Sequence, residues 1–252
     1  MTDRTALISG AGAGVGRSVA LRLVTQGLAS TIAINDLNEE RATAVAREIE
    51  AAGARAIVCA GDVTDWDTVQ DFVRRAVSQA GGIDILVNNA GIPPDVFPTP
   101  FVKTEPKDWK LWIDLNLYGV MYCTRAALPS MIERGWGRII TVVSDAARVG
   151  EAGLSAYAAG KAGAAGFTRS IAREVGSSGI TANSVALGSI KHGAVAEFLT
   201  EDTEKSMLKR YVVKRLGTTE DPAALIGFLA SDDAEWITGQ TYPVNGGFSM
   251  TV

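Results

Sequence analysis

Apolar residues along this chain fall into short continuous runs separated by longer stretches of helical period. The runs are Thr5–Ser9, Thr31–Asn35, Ala56–Ala60, Ile83–Val87, Arg138–Val143, Ile180–Ala186 and Gln240–Val244. Each is too short for an amphipathic helix and too uniformly apolar for a half-exposed strand, so each predicts a strand buried on both faces. Between them, helical patterns run from Arg17 to Gln26 and over 39–52, 66–80, 107–134, 155 onward and Asp221–Ala230. Helix 39–52 gathers Ala42, Val45, Ala46 and Ile49 on one face; helix 107–134 gathers Trp109, Trp112, Ile113, Leu117, Val120 and Met121 as mainly buried positions. Strand and helix alternating in this way predict an α/β fold with a parallel sheet covered on both faces. Two stretches stand outside the alternation. Prolines at 93, 94, 98, 100 and 106 predict a loop from Ile92 to Pro106 on the substrate side. Residues 189–213, with Phe198, Leu199, Met207, Leu208 and Tyr211, predict short helices forming a substrate lid over the C-terminal edge of the sheet.

Composition narrows the class. The chain has 252 residues, 47% hydrophobic and 21% charged, with no linker or composition break, which predicts one domain over residues 1–252. Its net charge of −4 is interspersed, with no basic run, so neither nucleic acid nor an anionic membrane is an expected partner. Met1-Thr2-Asp3-Arg4 passes directly into a strand with no leader pattern, and a cytoplasmic location is expected. Cys59 and Cys123 sit in apolar runs without metal-ligand spacing and are read as buried free thiols. The one histidine, His192, cannot complete a metal site, so no metal is expected and an ordinary loop position is the default.

Candidate chemistry lies at the strand ends. Gly10, Gly14 and Gly16 follow the first strand and open a helix, either as a plain turn or as a backbone cradle whose helix N-terminus favours a pyrophosphate. Val15 lies between the last two glycines. Asp36 ends the second strand, where a carboxylate can accept both hydroxyls of an adenosine ribose and repel a 2′-phosphate. Ala13 and Leu37 offer no cation for such a phosphate, which favours NAD over NADP; Asp36 is otherwise a strand-end turn residue. Asp62 and Val63 after the third strand either border an adenine or, in the case of Asp62, cap the next helix. In Asn88-Asn89-Ala90-Gly91, two amides can pin neighbouring strands and the glycine can admit a ribose. Asn116 falls mid-helix on or beside an apolar stripe, where a buried amide must find partners.

The fifth strand delivers Ser144, and a helical run follows in which Tyr157 and Lys161 stand four apart on one face. Using a tyrosine as acid or base near neutrality means favouring its phenolate by roughly two to three pKa units, about 3–4 kcal/mol. One cation about 5 Å away supplies roughly 3 kcal/mol at an effective dielectric near 20. The run Ala158–Gly166 is small everywhere except Lys161, and glycine inside a helix implies a close backbone approach, either to a symmetry mate or within the monomer.

Taken together and in this order, Gly10/Gly14/Gly16, Asp62-Val63, Asn88–Gly91, Asn116, Ser144, Tyr157 with Lys161, and Asn245-Gly246-Gly247 resemble the short-chain dehydrogenase/reductase family from Thr5 to Gly247. The resemblance implies a single Rossmann-type, doubly wound domain and an NAD-dependent oxidoreductase interconverting a secondary alcohol and a ketone. It implies that Tyr157 is the general acid/base, that Ser144 positions the carbonyl oxygen, that Lys161 holds the nicotinamide ribose and lowers the tyrosine pKa, and that Asn116 holds a water. Gly10, Gly14, Val15, Gly16, Asp36, Asp62, Val63, Asn89, Ala90, Gly91, Tyr157, Lys161, Gly188 and Ile190 become cofactor contacts, and a homotetramer is implied. Two departures stand out: Leu187 replaces the family's proline before Gly188, and His192 replaces a threonine, leaving the carboxamide end of the site to be held in some other way. The stretch Ser144–Gly150 resembles dehydrogenases of ring-hydroxylated acyl-CoA thioesters, and the chain as a whole resembles 3-oxoacyl carrier-protein reductases; Arg148 and Lys191 are candidate contacts to a phosphorylated carrier. The competing readings are a non-catalytic NAD-binding sensor, a sugar or steroid dehydrogenase, and a sugar-nucleotide epimerase or dehydratase.

Overall fold

The computed structural model describes residues 2–92, 98–193 and 199–250. Seven strands, β1 (Thr5–Ile8), β2 (Thr31–Ile34), β3 (Arg55–Val58), β4 (Ile85–Asn88), β5 (Gly137–Ser144), β6 (Ile180–Leu187) and β7 (Thr241–Val244), form one sheet in the order β3-β2-β1-β4-β5-β6-β7. All pairings are parallel. Between β3 and β4 the chain crosses back over the sheet, so β1 and β4 are neighbours whose following loops leave in opposite directions. That switch point opens a crevice at the C-terminal strand ends.

Strand alternation divides the core between the two faces. Ala6, Ile8, Ile32, Ile34, Ile85 and Val87 pack with α1 (Gly14–Thr25), α2 (Glu39–Ala51) and α9 (Glu220–Leu229) on one side. Leu7, Ala33, Leu86 and Ile139 pack with α3 (Trp66–Ala80), α5 (Gly119–Arg134) and α7 (Ser155–Val175) on the other. The continuous apolar runs of the sequence are explained: every second residue serves a different layer.

Several boundaries move. Helix α1 begins at Gly14 rather than Arg17, so the last two glycines of the turn belong to its first turn. The predicted helix 107–134 is α4 (Pro106–Ile113), a π-helical turn (Asp114–Tyr118) and α5, with Pro106 at a first-turn position where its missing N–H costs nothing. Its stripe is shallower than expected: Val120 and Asn116 are buried, while Trp109, Trp112, Ile113, Leu117 and Met121 are only half-buried. A 3.6-residue stripe slips at a π turn, so positions either side of it do not share one face. Thr219 stands at the N-cap of α9 without a side-chain cap; its hydroxyl instead accepts from Ser18 Oγ at 2.7 Å.

Between β5 and α7 the chain makes one turn of helix, α6 (Ala146–Val149). Of the expected lid, α8 (Glu201–Leu208) is helical, and Thr200 caps it by accepting from Thr203 N–H. The described part of this segment is tied down by Tyr211, whose hydroxyl accepts from Ser189 N–H at 2.8 Å, and by a parallel bridge between Ile190 and Gly217. Pro93, Pro94 and Phe198 lie outside the described residues. In α7, a Cβ on Gly160 would stand 3.0 Å from Asn116 Cβ, and one on Gly163 3.2 Å from Leu117, so the close approach at these two positions is within the chain.

Candidate active site

The loops after β1 and β4 are locked together before any ligand is considered. Ser9 Oγ accepts from the N–H groups of Asn89 (2.9 Å) and Ala90 (3.1 Å), and Asn89 Nδ2 donates to the carbonyls of Ser9 and Gly10. Asn89 therefore pins the turn with its amide, as the sequence suggested, and Asn88 Nδ2 reaches Thr124. A Cβ on Gly16 would stand 2.3 Å from Gly10 O, so only glycine lets α1 start against the turn. Val15 turns its side chain into the core, leaving its main chain to the cleft. The first turn of α1 has no acidic residue, and its N-cap, Ala13, makes no side-chain cap, so the positive end of the helix faces the crevice without a side-chain acceptor.

At the end of β2 the carboxylate of Asp36, 5% exposed, accepts from Gly12 N–H (3.0 Å), Asn38 N–H (2.9 Å) and Arg41 Nη2 (2.8 Å). Ala13 and Leu37 offer no cation here, but Arg41, which the sequence did not single out, does. Arg41 lies in the first turn of α2, and helical side chains lean toward the N-terminus, which carries it back onto Asp36. Asp62 does not cap α3; Asp65 does, accepting from Thr68 N–H at 2.8 Å. Asp62 Oδ1 is instead turned onto Thr64 N–H and Oγ1, both at 2.8 Å. Val63 is buried with its side chain toward Gly119.

Ser144, Tyr157, Lys161 and Asn116 meet where β5, α7 and the π turn converge. Ser144 Oγ accepts from Ala146 N–H at 3.2 Å, and its hydrogen bond to Tyr157 draws the phenol pKa down. The Tyr157 ring packs edge-on against Trp112, with centroids 5.2 Å apart. Lys161, 2% exposed, donates from Nζ to Val142 O at 2.7 Å and lies 5.9 Å from the Tyr157 ring centroid. Asn116 donates to Trp112 O at 3.0 Å, while its buried Oδ1 has no protein partner. A Cβ on Gly91 would stand 2.6 Å from Lys161 Nζ and 2.9 Å from Asn116 Oδ1, so glycine keeps open the space that the amine and the orphaned oxygen both border.

Electrostatics correct one expectation. Burial is the main influence on Tyr157 and raises its pKa; Glu151 adds to the rise and Ser144 opposes it. Burial also lowers Lys161 to about 7, so the lysine does not supply a full positive charge to the phenol in the chain by itself. The sequence estimate took a full positive charge on the lysine; desolvation of the same amine reverses part of that benefit.

Next to Ser144, the buried carboxylate of Asp145 accepts from Arg148 Nη1 (2.7 Å), Ser249 Oγ (2.8 Å) and Asn245 Nδ2. The C-terminal segment is thereby fastened to the end of β5, a link the sequence does not signal; the spacing of 100 residues between Asp145 and Asn245 leaves no local pattern for it. Arg148 and Lys191 are both paired, with Asp145 and with Glu204 (2.8 Å).

At the carboxamide end, a Cβ on Gly188 would stand 2.9 Å from Asn245 Cα, which accounts for the glycine. The Ile190–Gly217 bridge is made by Ser189 O and Lys191 N, leaving the N–H and C=O of Ile190 outside it. His192 stands beside the start of α1. Its Nδ1 lies 3.3 Å from where a Cβ on Gly14 would stand, across the mouth of the helix N-terminus, and burial lowers its pKa.

The orphaned Asn116 oxygen, the open space at Gly91, the uncapped α1 and the Asp36 carboxylate fit a nicotinamide dinucleotide lying across the switch point. Among the described residues no group of three or more His, Cys, Asp or Glu could hold a metal ion, and no helix is long and apolar enough to cross a membrane. Both cysteines are buried and free, burial pushing Cys59 to about 11 and Cys123 to about 12.

Comparisons with known proteins agree with this geometry. A family model described as enoyl-(acyl carrier protein) reductase matches residues 10–249. A 3-oxoacyl-(acyl-carrier-protein) reductase of Staphylococcus epidermidis is 39% identical over 249 residues, spanning 98% of this chain and 100% of that protein. The BbsD subunit of (2S)-((R)-hydroxy(phenyl)methyl)succinyl-CoA dehydrogenase from Thauera aromatica is 38% identical over 248 residues, 98% of this chain and 97% of that one. Among solved structures, a 7α-hydroxysteroid dehydrogenase complexed with NADH and 7-oxo glycochenodeoxycholic acid matches with a TM-score of 0.89 and 34% identity, covering 97% of this chain and 93% of that one.

Proposed function

The chain belongs to the short-chain dehydrogenase/reductase family and is an oxidoreductase using a nicotinamide cofactor; from that premise we propose that it is an NAD(H)-dependent enzyme interconverting a ketone and a secondary alcohol on an acyl thioester. The observation that carries the reading is the convergence of Ser144, Tyr157 and Lys161 beside the orphaned oxygen of Asn116. When bound, the dinucleotide supplies or accepts the hydride. Ser144, steadied by Ala146 N–H, donates to the substrate oxygen, and Tyr157 passes that oxygen its proton in reduction or takes it in oxidation. Lys161 and Asn116 border the space at Gly91 through which a water relays the proton onward and where the ribose is held. Asp36 supports NAD, since its carboxylate suits ribose hydroxyls better than a phosphate.

The substrate reading rests on the thioesters in the names of the reductase and the succinyl-CoA dehydrogenase relatives. We read residues 1–252 as one catalytic domain with 189–213 as its lid, cytoplasmic and homotetrameric, on the family's pattern. The test is a spectrophotometric screen of NADH formation or consumption across 3-oxoacyl and hydroxyacyl thioesters, cyclic alcohols, steroids and sugars, repeated with NADP(H). Turnover confined to thioesters with NAD(H) is expected; turnover of free cyclic alcohols with none on thioesters overturns the substrate class.

A further inference from the structure

We infer that Arg210 recognises a carboxylate on the substrate, with Glu151 holding the guanidinium until such an acid displaces it, so that the cleft selects ketones and secondary alcohols that carry a negative charge. This role rests on the reading of the site as one that interconverts a ketone and a secondary alcohol with Tyr157 as acid/base, and it adds the substrate's charge to that reading. Glu151 lies in the loop between α6 and α7, after Ser144 and before Tyr157, and its charge reaches the phenol, whose pKa it helps to raise. In the same loop Gly153 O accepts from Thr99 N–H at 3.0 Å, which brings the segment after β4 alongside. Arg210 comes to Glu151 out of the turn that follows α8, with Nη1 3.4 Å from Oε1. One ion pair therefore joins the loop between Ser144 and Tyr157 to the segment expected to cover the substrate.

Arg210 is held in place without being used up. Its guanidinium lies 4.1 Å from the centroid of the Phe248 ring, and that ring packs against Tyr211 with centroids 5.2 Å apart. The N–H groups of Val212 and Val213 donate to Gly246 O, while Asn245 and Ser249 donate to Asp145, so the platform under the arginine is fastened to the end of β5. The bond to Glu151 is a different matter. At 3.4 Å, with side chains 60% and 30% exposed, it is a weak pair that another acid can exchange. Arg148, in contrast, is 15% exposed and bound to Asp145 at 2.7 Å, and Lys191 is bound to Glu204 of α8 at 2.8 Å. A substrate carboxylate entering beside Tyr157 meets in Arg210 a cation already oriented by Phe248, and the planar fork of the guanidinium suits two carboxylate oxygens at once.

Ketone reduction with NADH or NADPH, whichever the chain uses, would be measured on the intact chain and on Arg210→Ala, Arg210→Lys and Glu151→Gln. Two matched pairs of substrates serve: the N-acetylcysteamine thioesters of 3-oxohexanoate and of 3-oxoadipate, the second with a free terminal carboxylate, and cyclohexanone with its 4-carboxylate. The readout is the ratio of kcat/KM, acidic over neutral, within each pair. Both members are measured on one preparation, so a loss of folded protein cancels. In the intact chain the ratio is expected to be about tenfold or more and to be carried by KM; in Arg210→Ala it falls by about tenfold or more, the scale of one charge-assisted hydrogen bond. Arg210→Lys keeps part of the ratio, and Glu151→Gln, which removes the competing acid, raises it. A ratio near one in the intact chain, or one unmoved in Arg210→Ala, overturns the role of Arg210. Turnover of the cyclohexanones alone defeats the thioester reading, and the ratio within that pair still decides Arg210; turnover of none of the four overturns both.

Discussion

Two buried carboxylates mark the two ends of the cleft, and they are held differently. Asp36, at the end of β2, rests on main-chain N–H groups of Gly12 and Asn38, with Arg41 added from outside. Asp145, beside Ser144, is held by side chains, and two of the three come from the C-terminal segment at Asn245 and Ser249. The first end is built into the strand-turn-helix unit and keeps its shape when a side chain changes. The second is assembled from β5, α6 and the chain's last residues, and its shape depends on each of those side chains. The consequence is that cofactor binding and substrate positioning fail in different ways.

That contrast can be broken most forcefully at Asp145. Replacing Asp145 with Ala leaves Arg148 and Asn245 without their buried acceptor and should lower unfolding stability by about 2–4 kcal/mol, with a large loss of turnover and little change in cofactor affinity. Denaturant unfolding alongside NAD+ titration reads both, and a variant that loses NAD+ affinity in proportion to turnover would remove the distinction between the two ends. A smaller effect sharpens the comparison through Lys161, whose pKa burial lowers to about 7 from its usual 10.5. Between those values the unfolded chain binds the proton and the folded chain does not, so stability rises with pH across that window and the cost of the buried amine is greatest below it. Comparing the native chain with Lys161→Met, the stability difference should move toward the native chain by roughly 2 kcal/mol from pH 7 to pH 9; a difference independent of pH would show that the amine is not desolvated as the fold implies.

Much of this architecture could be read in the sequence because it rests on local chemistry. Continuous apolar runs mean strands covered on both faces, and Tyr157 and Lys161 at a spacing of four can only share a face of one helix. Asp36 was identifiable from its place at a strand end. Arg41 was not, because its contact depends on where α2 begins and on the backward lean of its side chain. The π turn at Asn116 was hidden for a related reason: hydrophobic period reports an average face and is blind to one extra residue in a turn, so Trp112 and Leu117 were placed too deep. The Asp145–Asn245 contact joins residues 100 apart, and no pattern short of the folded sheet brings them together. The spacing of Tyr157 and Lys161 places them near each other, as they stand in the fold, but it says nothing about the burial that lowers the lysine.

The central claim is that Tyr157 moves the proton in a site whose cofactor is held by other groups. The direct measurement is NAD+ binding by calorimetry and single-turnover hydride transfer on the same preparation of Tyr157→Phe, using a substrate found in the thioester screen. Loss of hydride transfer by about a thousandfold or more, with NAD+ bound within a few-fold of the native affinity, is the predicted result. Hydride transfer at the native rate in Tyr157→Phe would contradict it.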